Sequence, residues 1–155
     1  MTLLALFLTA AAVVVIVFQV NALSTSIYLH RSQAHRSVKL HNSVAGLMRF
    51  LLWYFVGQAM RAWRAVHLLH HTHVDVAGDP HSPYLEGGPW KLFWKHERLY
   101  AAAATNPSIL AKYDRGIPPS KWDWLLERGW IGVITCGLTF ITVFSLLAAT
   151  WWVGT

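Results

Sequence analysis

Two uninterrupted apolar runs bracket the chain. Residues 2–20 (TLLALFLTAAAVVVIVFQV) hold one amide and no charge, and residues 131–153 are equally free of charge. A helix needs ~20 apolar residues to cross the hydrocarbon layer of a bilayer, so the pattern predicts transmembrane helices over 2–23 and 131–153. A third stretch, 44–60 (VAGLMRFLLWYFVGQAM), is short and interrupted by Arg49, which predicts an interfacial or protein-covered helix rather than another crossing. Arg61 to His73 reads as helix, and Gly78, Pro80, Pro83, Gly87, Gly88 and Pro89 mark a loop. Residues 90–115 predict one or two surface helices. Pro118 and Pro119 break that pattern, and Ser120 followed by Asp123 resembles an N-cap with an acidic first turn, predicting a helix that begins there and runs into the second span. Trp122, Trp124 and Trp130 before that span, and Trp151 and Trp152 at its end, sit where an aromatic belt would, although packing would explain them too. The expected fold class is all-α integral membrane: two transmembrane helices flanking one helical region, 24–129.

Charge sharpens this picture. With 55% hydrophobic and 13% charged residues in 155, the chain is too apolar for an ordinary soluble domain. All thirteen Lys and Arg and all seven acids lie within 24–128, which therefore carries the whole net charge of +6. The positive-inside rule places that block on the cytoplasmic side of the cytoplasmic membrane. No basic residue precedes Arg31, so the first run lacks the positive start of a signal peptide and reads as a retained span. A pI near 9.8 raises nucleic acid as a partner, but the charges are scattered among Trp and apolar residues without a dense basic run. No nucleic acid is expected; membrane lipid with anionic head groups, or an acidic carrier, fits better. Cys136 is alone within an apolar run, so there is no disulfide framework.

The candidate chemistry lies in the histidines. All nine fall between His30 and His96, five of them in two tight groups, HRSQAH (His30, His35) and HLLHH (His67, His70, His71). On a helix His67, His70 and His71 lie within about 100° of one another, so one face can present three imidazoles, two to one ion and one to its neighbour. His30 and His35 are about 140° apart on a regular helix, so they would straddle a site or require the helix to loosen locally. Imidazole-rich sites with few carboxylates suit Zn, Cu, Fe or Ni, so residue type leaves the metal open. His41, His73 and His96 have no partner at diagnostic spacing and read as solvated or supporting groups.

These motifs carry a resemblance. YLHRSQAHRSVKLH, then WRAVHLLHHTHVDVAGDPHSP about thirty residues later, then LYAAAATNPSILAKYDRG leading to WDWLLERGWIG before a span, together resemble the membrane fatty acid desaturases, specifically the acyl Δ9 branch and its actinobacterial members. The resemblance implies that the chain is a fragment of a larger four-helix-type desaturase. That family holds two Fe ions with an H-x(3,4)-H box and two H-x-x-H-H boxes. His30 and His35 match the first box, His67, His70 and His71 the second, and nothing here matches the third. The expectation is therefore an N-terminal portion that does not turn over alone, because a site missing ligands loses affinity and geometry.

The implied reaction is O2-dependent removal of two hydrogens from adjacent methylenes of a saturated acyl chain, giving a cis double bond. The implied partners are a fatty acyl thioester of coenzyme A or acyl carrier protein, or a lipid-linked acyl chain, and a ferredoxin-like electron donor. Arg31 and Arg36 follow the two histidines of the first box and would orient acidic groups or face an anionic head group, or else be solvated. Asp75 and Asp79 would accept the free N–H of a metal-bound imidazole, with turn formation the competing role for Asp79. His81, in Asp-Pro-His, is a substrate-proximal candidate rather than a ligand, and Trp63 a wall residue. Two other readings remain: a membrane di-iron hydroxylase, which inserts oxygen instead, and a non-catalytic membrane metal-binding protein. The second would want histidines or acids inside the spans, and neither span has any.

Overall fold

The structure, a computed structural model, describes residues 3–153, and all of the regular structure among them is helical. In chain order the elements are α1 (Leu3–Leu23), a π-helical segment π1 (Ser24–Ala34), α2 (Asn42–Val56), α3 (Met60–Thr72), α4 (Pro89–Ala104), α5 (Pro107–Tyr113), α6 (Asp123–Leu126) and α7 (Gly129–Val153). Among the described residues two helices are long and apolar enough to cross a membrane, over Phe7–Ala34 and Gly129–Ala149. Their apolar side chains, among them Phe7, Val14, Phe18, Leu138 and Phe144, are mostly exposed. A bilayer would solvate such faces and water would not.

The first helix does not end where its apolar run ends. The chain continues from α1 directly through π1 to Ala34. Asn21 stays helical by donating Nδ2 to Val17 O at 2.8 Å, while its Oδ1 is buried without a hydrogen-bond partner.

α2 lies across α1 and against α7, and its close approach to α7 is made by glycine. A Cβ on Gly132 would collide with the Trp53 carbonyl, and one on Gly129 with the Gly57 carbonyl. Gly57 ends α2 in the left-handed region, φ 65°, where glycine carries no steric penalty. Trp53 Nε1 donates to Arg128 O at 3.2 Å and ties the same junction.

The Arg49 that interrupts the apolar stretch is buried, and pairs with Asp123 and Glu127 at 2.7 Å each. This protein-covered position explains a charge within an otherwise apolar helix. Asp123 does not continue a helix begun at Ser120. Its carboxylate accepts from Ser120 N at 2.9 Å, α6 is a single turn, and a separate helix starts at Gly129. Trp122, Trp124 and Trp130 are exposed around that junction; the side chains of Trp151 and Trp152 lie outside the described residues.

α3 is the central element. One side packs with π1 and α2 through Tyr28, Leu29, Leu52 and Met60. The other packs with α4 and α5 through Val66, Leu69 and Ala103. Leu29, Leu52 and Val66 are fully buried, and burial of each such side chain stabilises by roughly 1.5–3 kcal/mol. The core thus holds α3 and π1, the two histidine-bearing segments, side by side.

Candidate metal centre

The five-residue spacing of His30 and His35 is accommodated by the π-helix. His35 N donates to His30 O at 3.0 Å, an i→i+5 bond that stacks residues five apart within about one turn. Their rings lie 4.5 Å apart. α3 presents His67 and His71 one turn apart, with ring centroids at 4.6 Å, and its packing on π1 brings the pairs together. One ligand atom from each of His30, His35, His67 and His71 lies within 4.8 Å of the others.

His67 Nε2 is 3.2 Å from His35 Nε2 and 3.1 Å from His71 Nε2. Two nitrogens bound at about 2.1 Å to one ion and at right angles are about 3.0 Å apart, so the spacing fits a shared cation. A neutral imidazole nitrogen has a single lone pair or a single proton, so hydrogen bonding alone serves three converging nitrogens poorly. Burial, then His71 and the other neighbouring imidazoles, push the His67 pKa down to about 4. Burial, then His30 and His71, lower that of His35 as well. Neutral imidazole is the form a metal takes, and the donor set fits a metal ion.

His70, the fifth histidine of the two motifs, points elsewhere. Its Nδ1 lies 2.8 Å from Asp79 Oδ1, and the Asp79 side chain is wholly buried. The carboxylate also accepts from His81 N at 2.8 Å and Asp75 N at 2.9 Å. Burial pushes the Asp79 pKa up, but these bonds outweigh it and hold the carboxyl below its ordinary range. An ionised Asp79 accepts a hydrogen bond from Nδ1–H of His70 and so leaves the lone pair on Nε2, as a metal-binding imidazole requires. The His81 ring lies 5.6 Å from His70 and stacks on His96 at 5.0 Å. Burial, then His96 and His70, push the His81 pKa down to about 4. His81 and His96 also line a cavity of about 290 Å³ with Gln58, Trp63, Glu97 and Tyr100.

Other candidates take different places. Asp75 contacts no histidine ring among the described residues: it sits at φ 58° and accepts from Ser82 Oγ at 2.7 Å, which makes it a turn former. Arg31 is exposed and lines a cavity beside His30 and Trp63. Arg36 donates Nη2 to the Gly116 carbonyl at 3.1 Å, not to an acid. Trp63 stacks on His67, with centroids 4.6 Å apart and planes 13° from parallel. His41 caps α2 by accepting from Ser43 N, and His73 bonds Thr72 and Leu69 O.

The sequence reading missed the ionic frame behind the histidines. Arg61 Nη1 holds both oxygens of Asp114 at 2.7 and 2.6 Å, and its Nη2 reaches Asp123 at 2.8 Å. Glu127 accepts from Arg61 N at 3.2 Å. It thereby caps the first turn of α3, whose own N-cap position, Ala59, has no side-chain acceptor. The signal available was the acids Asp114, Asp123 and Glu127 within KYDRG and WDWLLERGW, of which only Asp123 has a local role in the sequence pattern, as the acidic first turn after Ser120.

The profile of the family described as fatty acid desaturase matches residues 3–155. The chain belongs to that family. Among curated relatives, a hex-5-enoyl-(acyl-carrier protein) acetylenase of Moorena producens (strain JHB) is 31% identical over 140 residues, covering 86% of this chain and 43% of the relative. A Delta-9 desaturase-like 5 protein of Arabidopsis thaliana is 34% identical over 83 residues, covering 51% of this chain and 26% of the relative. This desaturase-family chain thus spans less than half the length of these relatives. No solved structure gives a significant match.

Proposed function

We propose that the chain carries the first two histidine boxes of a di-iron, O2-dependent fatty acyl desaturase. The observation that carries this reading is the convergence of His30, His35, His67 and His71 to within 4.8 Å, from two segments more than thirty residues apart. In the proposal these four hold one iron, and His70, oriented by Asp79, faces the second. The five histidines are this chain's share of the ligands; a polypeptide of these residues alone binds metal without turning over.

Held by these histidines, an iron pair would supply the O2-dependent oxidation in which an acyl –CH2–CH2– pair would lose two hydrogens to become a cis double bond, with O2, two donor electrons and two further protons leaving as two waters. The chain's own residues position the parts. Asp79 fixes the tautomer of His70, Trp63 braces the plane of His67, and the cavity bounded by Val56, Gly57, Trp63 and Tyr100 forms part of the wall against which an acyl chain lies. The acetylenase relative's name specifies an acyl-carrier-protein substrate, which supports an acyl thioester here. The name of the plant relative supports the Δ9 position. A ferredoxin-like donor and a cytoplasmic orientation of the basic block complete the proposal.

Anaerobic Fe(II) titration of the chain in lipid nanodiscs tests it. Iron binding that is lost in His67→Ala is the expected result, and stoichiometric Zn with no iron taken up sinks it. In a complete protein, acyl-product analysis separates a double bond from the hydroxyl that the rival hydroxylase would leave.

A further inference from the structure

Three arginines, drawn from both histidine-bearing segments, converge on residues 113–116. Arg64, buried in α3 one turn before His67, donates Nε to Gln33 O of π1 at 2.9 Å and Nη1 to Tyr113 O. Arg61 grips Asp114. Arg36, directly after His35, donates to Gly116 O. Thr72 Oγ1, just past His71, meets the Tyr113 hydroxyl at 2.6 Å. The loop therefore touches α3 before and after its histidines, meets Arg36 just past the end of π1, and is joined to π1 itself through Arg64.

The acceptors are not arbitrary. Gln33 lies in the last turn of π1 and Tyr113 closes α5, so both carbonyls belong to helix C-termini that lack partners within their own helices. A guanidinium donates from two edges in fixed directions and complements the negative end of each helix. Gly116 sits at φ +80°, and a Cβ there would lie 2.9 Å from Arg36 Nη2, so the loop is shaped to admit that arginine.

We infer that residues 113–116 form a clamp that sets the spacing of π1 against α3, with Arg64 as the positioning residue at its centre. This deepens the metal-binding reading of the four imidazoles and rests on it. Metal–nitrogen bonds tolerate deviations of about 0.2 Å, so a small slip of π1 along α3 takes His30 and His35 out of reach of an ion held by His67 and His71.

Anaerobic Co(II) titration in nanodiscs, read by visible absorption beside circular dichroism, tests the clamp. Arg64→Met is expected to retain wild-type helicity, to weaken Co(II) binding on the order of 10–100-fold and to alter its spectrum. Arg64→Lys, which keeps the charge but cannot bridge two carbonyls, should fall between. Wild-type Co(II) affinity in a folded Arg64→Met overturns the clamp. Should that variant fail to fold, Asp114→Asn decides: several-fold weaker binding supports the clamp, and unchanged binding overturns it. If the wild-type chain binds no Co(II), the metal reading fails by itself. The clamp is then decided by nitroxides at Lys39 and Val74 in a Cys136→Ala background, where a broadened distance distribution in Arg64→Met supports it and an unchanged one overturns it.

Discussion

Replacing Arg49 by Met removes a buried cation while keeping most of its volume. Arg49 faces two carboxylates at 2.7 Å, Asp123 and Glu127, whose side chains are 20% and 21% exposed. At an effective dielectric constant of 20 each contact is worth about 6 kcal/mol of attraction before desolvation. Removing one partner of a buried pair typically costs 3–5 kcal/mol. Two features reduce that figure: Asp123 keeps Arg61, and both carboxylates retain some water. The expected loss is about 2–3 kcal/mol at pH 7, measured by urea unfolding in micelles with tryptophan fluorescence.

The sign of the pH dependence follows from Glu127. Burial already raises its pKa, outweighing the lowering by Arg49 and Arg61 N, and loss of Arg49 raises it further. A carboxyl whose folded pKa exceeds its unfolded value destabilises the fold increasingly as pH rises through that range, and the penalty is relieved as pH falls and the proton returns. The Arg49→Met deficit should therefore shrink from pH 7 toward pH 5, and adding Glu127→Gln should recover it to within about 1 kcal/mol at pH 7. A deficit below about 0.5 kcal/mol, or one unchanged with pH and additive with Glu127→Gln, refutes the reasoning.

Gly132→Val should separate α2 from α7 at a cost above about 3 kcal/mol, whereas Gly137→Ala, with nothing within 4 Å of a Cβ there, should be neutral or stabilising by up to about 1 kcal/mol in the same unfolding assay. Asp79→Asn removes the carboxylate that fixes the His70 tautomer and should weaken binding of a second metal equivalent on the order of 10–100-fold in a complete protein, read by calorimetry; unchanged affinity would mean that His70 is not a ligand. Burial raises the Asp123 pKa, but Ser120 N, Arg49 and Arg61 outweigh it and lower it overall. Its stabilisation is then present above the unfolded aspartate pKa and lost as pH falls through the folded one. Asp123→Asn should accordingly destabilise at pH 7 and lose its effect in acid, and an acid-limb unfolding curve that fails to converge with wild type argues against this.

The spans and the grouping of histidines were legible because each is a local pattern: apolar runs of bilayer length, and imidazoles at helical spacing. The loosened helix at His30 and His35 was half legible, since a five-residue spacing fits an α-helix poorly and leaves either a straddled site or the π-helix now found. The break between α6 and α7 was not, because Ser120 and Asp123 satisfy an N-cap pattern whichever of them accepts the bond. The ionic frame was hidden for a different reason. Arg49 meets Glu127 across 78 residues of sequence, and no periodicity reports which distant charges share a buried site. Arg64 was hidden in the same way, since its acceptors are backbone carbonyls, which every residue has.

The central claim is that the two histidine segments together make one metal site, and anaerobic Fe(II) titration of wild type, His67→Ala and His41→Asn tests it most directly. His67 touches three imidazoles of the cluster, whereas His41 only caps α2, a role asparagine fills equally well. The account predicts one tightly bound iron in wild type and in His41→Asn and its loss in His67→Ala; equal binding in all three would contradict it.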